Sequence, residues 1–134
     1  MNICVFASGG GSNFRALIES RNAGFFESNI SLLITNNSGC GAVEIAREYG
    51  IKTEHISRKI YEDLCDEEYD DIFLNVLREN EIDFIILAGY MKKIPDVVVD
   101  KFERRIINIH PALLPKFGGE GMYGMNVHRA VIEA

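Results

Sequence analysis

Short apolar runs alternate with amphipathic stretches along the chain. Four runs, at residues 3–7, 30–35, 83–88 and 106–109, are mainly apolar, and a short mixed run covers residues 52–56. Strands buried on both faces of a parallel sheet have this continuous pattern, because neither face meets water. The pattern therefore predicts five strands.

The stretches between these runs have the spacing of amphipathic helices. Phe14, Leu17 and Ile18 predict a first helix that ends near Gly24, and residues 42–49 predict a second. A third helix follows the acidic stretch 62–71, and a fourth, through Phe102, has Pro95 in its first turn. The apolar side of the third helix holds Tyr69, Ile72, Phe73, Val76 and Leu77.

Strands that alternate with helices predict a single α/β domain over residues 1–134, with a Rossmann-like, open, mostly parallel sheet and helices on both faces. We predict the strand order 3-2-1-4-5, in which ligands bind at the carboxyl ends of strands 1 and 4, where the order reverses. Residues 116–126 predict a loop and residues 127–134 a helix. The sequence stops inside that helix, with no capping glycine and no following strand.

A glycine-rich segment joins the first strand to the first helix at residues 9–13. Glycines let backbone N–H groups converge at a helix N-terminus, which favours a phosphate. The alternative is a tight turn in which Ser12 or Asn13 caps the helix. The segment is neither G-x-G-x-x-G nor a P-loop, and Asn36 and Asn37, rather than an acidic residue, follow the second strand. A nicotinamide dinucleotide is therefore disfavoured.

Asn108 and His110 lie two residues apart where the fifth strand ends. Residues two apart on a strand point to the same side, so an amide and an imidazole would share one space. An amide donates to an oxyanion, and an imidazole moves protons near neutral pH. The alternative is a surface histidine before proline. We interpret His55 as structural, whereas His128 is a weaker candidate that could approach the cleft.

The segment at residues 87–94 leaves the fourth strand toward the same edge of the sheet. Tyr90, Met91 and Ile94 could receive a flat heteroaromatic ring, whose edge main-chain groups would read. A loop that packs its own apolar residues explains the pattern equally well.

Composition narrows the classes of partner. The net charge is −6 and the basic residues are scattered, which argues against nucleic acid. Three widely spaced cysteines without a C-x-x-C pair fit a cytoplasmic protein, and no spacing indicates a metal site. No signal peptide or membrane-spanning run is evident.

Three motifs together resemble one family of enzymes. The segments SGGGSN at 8–13, LAGYM at 87–91 and NIHPALLP at 108–115, in this order, resemble the phosphoribosylglycinamide formyltransferases. The resemblance implies transfer of a formyl group from 10-formyltetrahydrofolate, as co-substrate, to the amine of 5-phosphoribosylglycinamide. It also implies that the enzyme acts in purine biosynthesis. We expect a cytoplasmic monomer or homodimer that uses no metal.

The resemblance also implies roles for individual residues. Asn108 would contact the folate and donate to the oxyanion, and His110 would stabilise that oxyanion or pass a proton from the attacking amine to the leaving nitrogen. The phosphate-binding positions match Gly11, Ser12 and Asn13. The folate-binding positions match Met91, Lys92, Lys93 and Ile94.

Two departures from the family pattern stand out. The third catalytic residue, an aspartate, would lie beyond residue 134. By the same resemblance, we expect the family's C-terminal strands and closing helix to be missing from this chain. Many members carry a basic residue that touches the folate tail three positions before the tyrosine of the third helix, and here that position is Asp66. Contact with the tail must therefore come from elsewhere or be lost.

Two other functions remain open from the sequence. One is a different formyl-group enzyme, such as methionyl-tRNA formyltransferase, a nucleotide-sugar formyltransferase or formyltetrahydrofolate hydrolase. The triple glycine and the acidic charge speak against the tRNA enzyme. The other is a non-catalytic, Rossmann-like nucleotide-binding module.

Overall fold

A computed structural model describes residues 1–109 of the chain. The predictions for His110, His128, the loop at 116–126 and the helix at 127–134 lie outside these residues. The elements in chain order are β1 (Asn2–Phe6), α1 (Ser12–Asn22), β2 (Asn29–Thr35), α2 (Gly41–Glu48), β3 (Lys52–His55), α3 (Asp66–Glu79), β4 (Phe84–Ala88), α4 (Asp96–Lys101) and β5 (Ile106–Ile109).

The five strands form one sheet in the order β3-β2-β1-β4-β5, and every neighbouring pair is parallel. The predicted order is confirmed, and the reversal of strand order falls between β1 and β4. The predicted boundaries differ by one residue at several ends. β1 begins at Asn2 because Asn2 pairs with Asn29 of β2, although it is polar.

Apolar residues of the sheet fill two cores, one on each face. On β1, Cys4 and Phe6 join the core against α3 and α4, whereas Ile3 and Val5 join the core against α1 and α2. Alternate residues of a strand point to opposite faces, so a continuously apolar strand supplies both cores at once. The predicted covering of both faces is confirmed.

The helices begin and end close to the glycine and proline residues that predicted their boundaries. Gly24 and Gly50 have φ values of 91° and 71°, a left-handed conformation that suits glycine after a helix. Pro95 directly precedes α4 as its N-cap, one residue before the position we predicted. Among the described residues, no helix is long and apolar enough to cross a membrane.

Candidate active site

The glycine-rich segment passes directly over the start of α2. Gly11 has φ 83°, and a Cβ there would lie 2.7 Å from Ile45 Cδ1 and 2.8 Å from the Cα of Ala42. A Cβ on Gly41 would lie 2.5 Å from the carbonyl oxygen of Gly10. Only glycine fits this approach of two backbones, so the segment is fixed by close packing as well as by its turn.

Helix α1 begins at Ser12, earlier than predicted. Gly11 is its N-cap, and no side chain caps it. The interpretation of Ser12 or Asn13 as a cap is therefore wrong, because both residues lie inside the first turn. That turn contains no acidic residue. Backbone N–H groups without a side-chain cap, next to the positive end of a helix, are suited to bind an anion.

The loop after β4 divides its residues between the core and the surface. Tyr90 packs edge-on against Phe6 with ring centroids 5.1 Å apart, and Ile94 is buried. Burial raises the pKa of Tyr90, which keeps its phenol neutral. Met91 is 79% exposed. Tyr90 thus belongs to the fold, as the packing alternative predicted, and Met91 is left available to a ligand.

A cavity of about 380 Å³ opens beside this loop. Lys92, Lys93 and Ile94 line one side of it, and Tyr69 and Asp70 of α3 line another. Burial, with Asp66 and Asp96 nearby, raises the pKa of Asp70. The cavity places the predicted folate segment against a surface of mixed charge.

Arg58 brings a positive charge to the place where Asp66 replaces the basic residue of the family pattern. Its Nη2 donates to Asp66 Oδ1 at 3.1 Å and to the carbonyl oxygen of Leu64 at 2.7 Å. Its guanidinium carbon lies 4.9 Å from the centroid of the Tyr69 ring. Sequence reasoning missed Arg58, because nothing in the spacing shows that the loop before α3 folds back onto Tyr69.

Asn108 lies on β5 opposite Leu87 of β4. It is half-buried and two residues from Ile106, which is part of the core against α3 and α4. Alternation along the strand therefore assigns Asn108 to that same face. Its predicted partner His110 lies outside the described residues.

A buried hydroxyl joins two of the predicted segments. The Ser8 Oγ accepts a hydrogen bond from the Met91 N–H at 2.8 Å and donates to Asn36 Oδ1. Sequence reasoning did not single out Ser8, although its position directly before the glycines was a signal. Among the described residues, no group of three or more acidic, histidine or cysteine side chains could hold a metal ion.

Relatives of the chain carry consistent names. Phosphoribosylglycinamide formyltransferase, chloroplastic, from Arabidopsis thaliana is 46% identical over 132 residues, which are 98% of this chain and 45% of the plant protein. The trifunctional purine biosynthetic protein adenosine-3 from Homo sapiens is 34% identical over 131 residues, 98% of this chain and 12% of the human protein. The chain thus spans less than half the length of either relative.

Solved structures agree with the fold. Glycinamide ribonucleotide transformylase 1 from Geobacillus kaustophilus matches with a TM-score of 0.76 and 34% identity, over 87% of this chain and 61% of that one. Phosphoribosylglycinamide formyltransferase from Bacillus halodurans matches with a TM-score of 0.76 and 38% identity, over 87% of this chain and 59% of that one. A sequence profile described as formyl transferase matches residues 1–134. The chain therefore belongs to the formyl transferase family.

Proposed function

We propose that the full-length protein transfers the formyl group of 10-formyltetrahydrofolate to the amine of 5-phosphoribosylglycinamide, a step of purine biosynthesis. The relatives from Arabidopsis thaliana and Bacillus halodurans carry the name of this activity. The observation that carries the proposal is the start of α1 without a side-chain cap. It ends a glycine-rich segment that follows Ser8, and Ser8 contacts the loop after β4 at the reversal of strand order. A phosphate and a flat ring would meet there.

The start of α1 would hold the phosphate of the glycinamide substrate. Gly11 lets the backbone pass close to α2, and the N–H groups of the first turn have no side-chain cap. The hydroxyl of Ser12 and the amide of Asn13 would add hydrogen bonds to phosphate oxygens. The helix dipole favours the dianion.

The loop after β4 would hold the folate. Met91 is exposed, and the main chain from Met91 to Ile94 would read the edge of the pterin ring. Lys92, Lys93 and Arg58 supply positive charge around the cavity. They would attract the carboxylates of the folate tail. In this way they would take over the role of the family's basic residue, whose position is occupied here by Asp66.

Asn108 and His110 would carry the chemistry between these two ligands. The amine nitrogen attacks the formyl carbon, and the carbonyl oxygen becomes an oxyanion to which the Asn108 amide donates. The bond between the formyl carbon and N10 of the folate then breaks. His110 transfers the proton lost by the amine to N10, so charge and atoms balance.

The test is to mix the full-length protein with 5-phosphoribosylglycinamide and 10-formyltetrahydrofolate and to identify the products by mass spectrometry. Equal amounts of formylglycinamide ribonucleotide and tetrahydrofolate are expected. Release of formate without formylated amine would instead indicate a hydrolase. Binding of phosphate compounds without any turnover would indicate a nucleotide-binding module, and either result would overturn the proposal.

The protein is proposed to act in the cytoplasm as a monomer or homodimer. The free state of Cys4, Cys40 and Cys65 supports a reducing compartment. The Arabidopsis relative is named chloroplastic, so fractionation of cells of the source organism is the required test. Light scattering during gel filtration would decide the oligomeric state.

A further inference from the structure

The ends of three neighbouring strands are joined by one buried hydroxyl. Ser8 and Thr35 are the buried polar residues among the described part of the chain, and Ser8 is 8% exposed. A hydroxyl has one hydrogen to donate and lone pairs to accept. Ser8 uses both roles, because it donates to Asn36 after β2 and accepts from Met91 after β4.

The main chain of Ser8 strengthens the same connection. The Ser8 N–H donates to the carbonyl oxygen of Gly89 at 3.1 Å. Gly89 has φ 81°, so the chain turns sharply there. Ser8 therefore contacts the loop after β4 on both sides of Tyr90, and it directly precedes the glycine-rich segment.

The loop has few other anchors where it would meet a ligand. Tyr90 is held by Phe6 and Ile94 by the core, but Met91, Lys92 and Lys93 between them are exposed. The partly buried hydrogen bond from the Met91 N–H to Ser8 Oγ therefore sets the main chain between those two apolar anchors.

We propose that Ser8 is a positioning residue that fixes the Met91 main chain for folate binding, next to the phosphate-binding segment that follows Ser8. This inference rests on the proposed function. Ser8 acts through Met91 and touches neither substrate. Its loss should loosen the folate side of the cleft and leave the phosphate side, which α2 supports through Gly11 and Gly41, nearly unchanged.

The test compares Ser8→Ala and Ser8→Cys in the full-length protein. Cysteine keeps a side chain of similar length, but its sulfur is a weak acceptor. Thr35→Val is the matched control, because it removes another buried hydroxyl that accepts a backbone N–H, that of Asn37 at 3.1 Å. Both Ser8 variants should raise the KM for 10-formyltetrahydrofolate about three- to tenfold, the range for one lost neutral hydrogen bond. The KM for 5-phosphoribosylglycinamide should stay within about twofold.

Hydrogen exchange measured by NMR gives a readout that needs no activity. The Met91 amide should exchange about three- to tenfold faster in both Ser8 variants than in the wild type or Thr35→Val. An unchanged folate KM, or an equal rise of both KM values, would overturn the inference. The wild type could fail to bind tetrahydrofolate while the Ser8 variants still show faster exchange of the Met91 amide. That result would refute the proposed function and the folate role of Ser8, and only the anchoring of Met91 by Ser8 would remain.

Discussion

Gly11 shows at the scale of one residue how backbone geometry limits the chemistry of the cleft. Its positive φ strains any L side chain, and its Cβ would press on the backbone of Ala42, which cannot rotate away. We expect Gly11→Ala to lower the free energy of unfolding by about 1–3 kcal/mol and to weaken binding of 5-phosphoribosylglycinamide. Urea unfolding and calorimetric titration measure the two effects.

Gly9→Ala is the matched control for stability. A Cβ on Gly9 meets no atom within 4 Å, and Gly9 is exposed. Its unfolding free energy should stay within about 0.5 kcal/mol of wild type. Equal losses for the two variants would contradict the argument that the approach to α2 requires Gly11.

Asn108 tests the proposed oxyanion contact. Loss of one oxyanion donor costs about 3–4 kcal/mol of barrier, so Asn108→Ala should lower kcat by about two to three orders of magnitude with KM values changed only slightly. Steady-state kinetics of the full-length protein measure both. Asn75→Ala removes an amide from the exposed side of α3, where it accepts from Arg78, and should leave kcat unchanged. Near-normal turnover in Asn108→Ala would remove this residue from the mechanism.

At the scale of an element, α3 holds a carboxylate next to the cavity that destabilises the folded protein at neutral pH. Asp70 has a raised pKa, chiefly from partial burial and then from Asp66 and Asp96. A carboxyl whose pKa is raised by folding destabilises the native state above that folded pKa, and the cost disappears below the unfolded value of about 3.9. Asp70→Asn should therefore stabilise the protein at pH 7 and lose this advantage toward pH 3.

The gain from Asp70→Asn should be at most about 0.5 kcal/mol, because solvent still screens the half-buried carboxyl group. Urea unfolding at several pH values measures it. Asp71→Asn changes an exposed neighbour on the same helix and serves as control. If the stability advantage of Asp70→Asn over wild type grew as the pH fell, the predicted direction of the pH dependence would be wrong.

The elements themselves were largely predictable from the sequence, for reasons visible in β1 and α3. A strand such as β1 supplies both cores and is therefore apolar from Ile3 to Phe6, whereas α3 repeats its apolar residues at helical spacing. Local pattern therefore determined these elements. The contact of Arg58 with Tyr69 and that of Ser8 with Met91 were not predictable, because one depends on how a loop folds back onto a helix and the other on how two strand ends meet.

At the scale of the whole molecule, the central strands make the two cores depend on each other. Phe73 of α3 is 1% exposed, stacks on Phe6 of β1 with centroids 6.1 Å apart and meets Tyr69 edge-on at 5.4 Å. Phe73→Ala should cost about 3–5 kcal/mol of unfolding free energy. That is a large share of the ~5–15 kcal/mol that holds a typical domain together.

Because the neighbours of Phe6 on β1 face the opposite core, this loss should not stay on the side of α3. We expect hydrogen exchange in Phe73→Ala to show lower opening free energies for α1 and α2 as well as for α3, by similar amounts. Phe25→Ala is the matched control, since Phe25 is 82% exposed, and it should change little. If α1 and α2 kept wild-type protection while α3 lost it, the two faces would unfold separately. The proposed phosphate-binding turn and the proposed folate cavity would then rest on independent units rather than on one sheet.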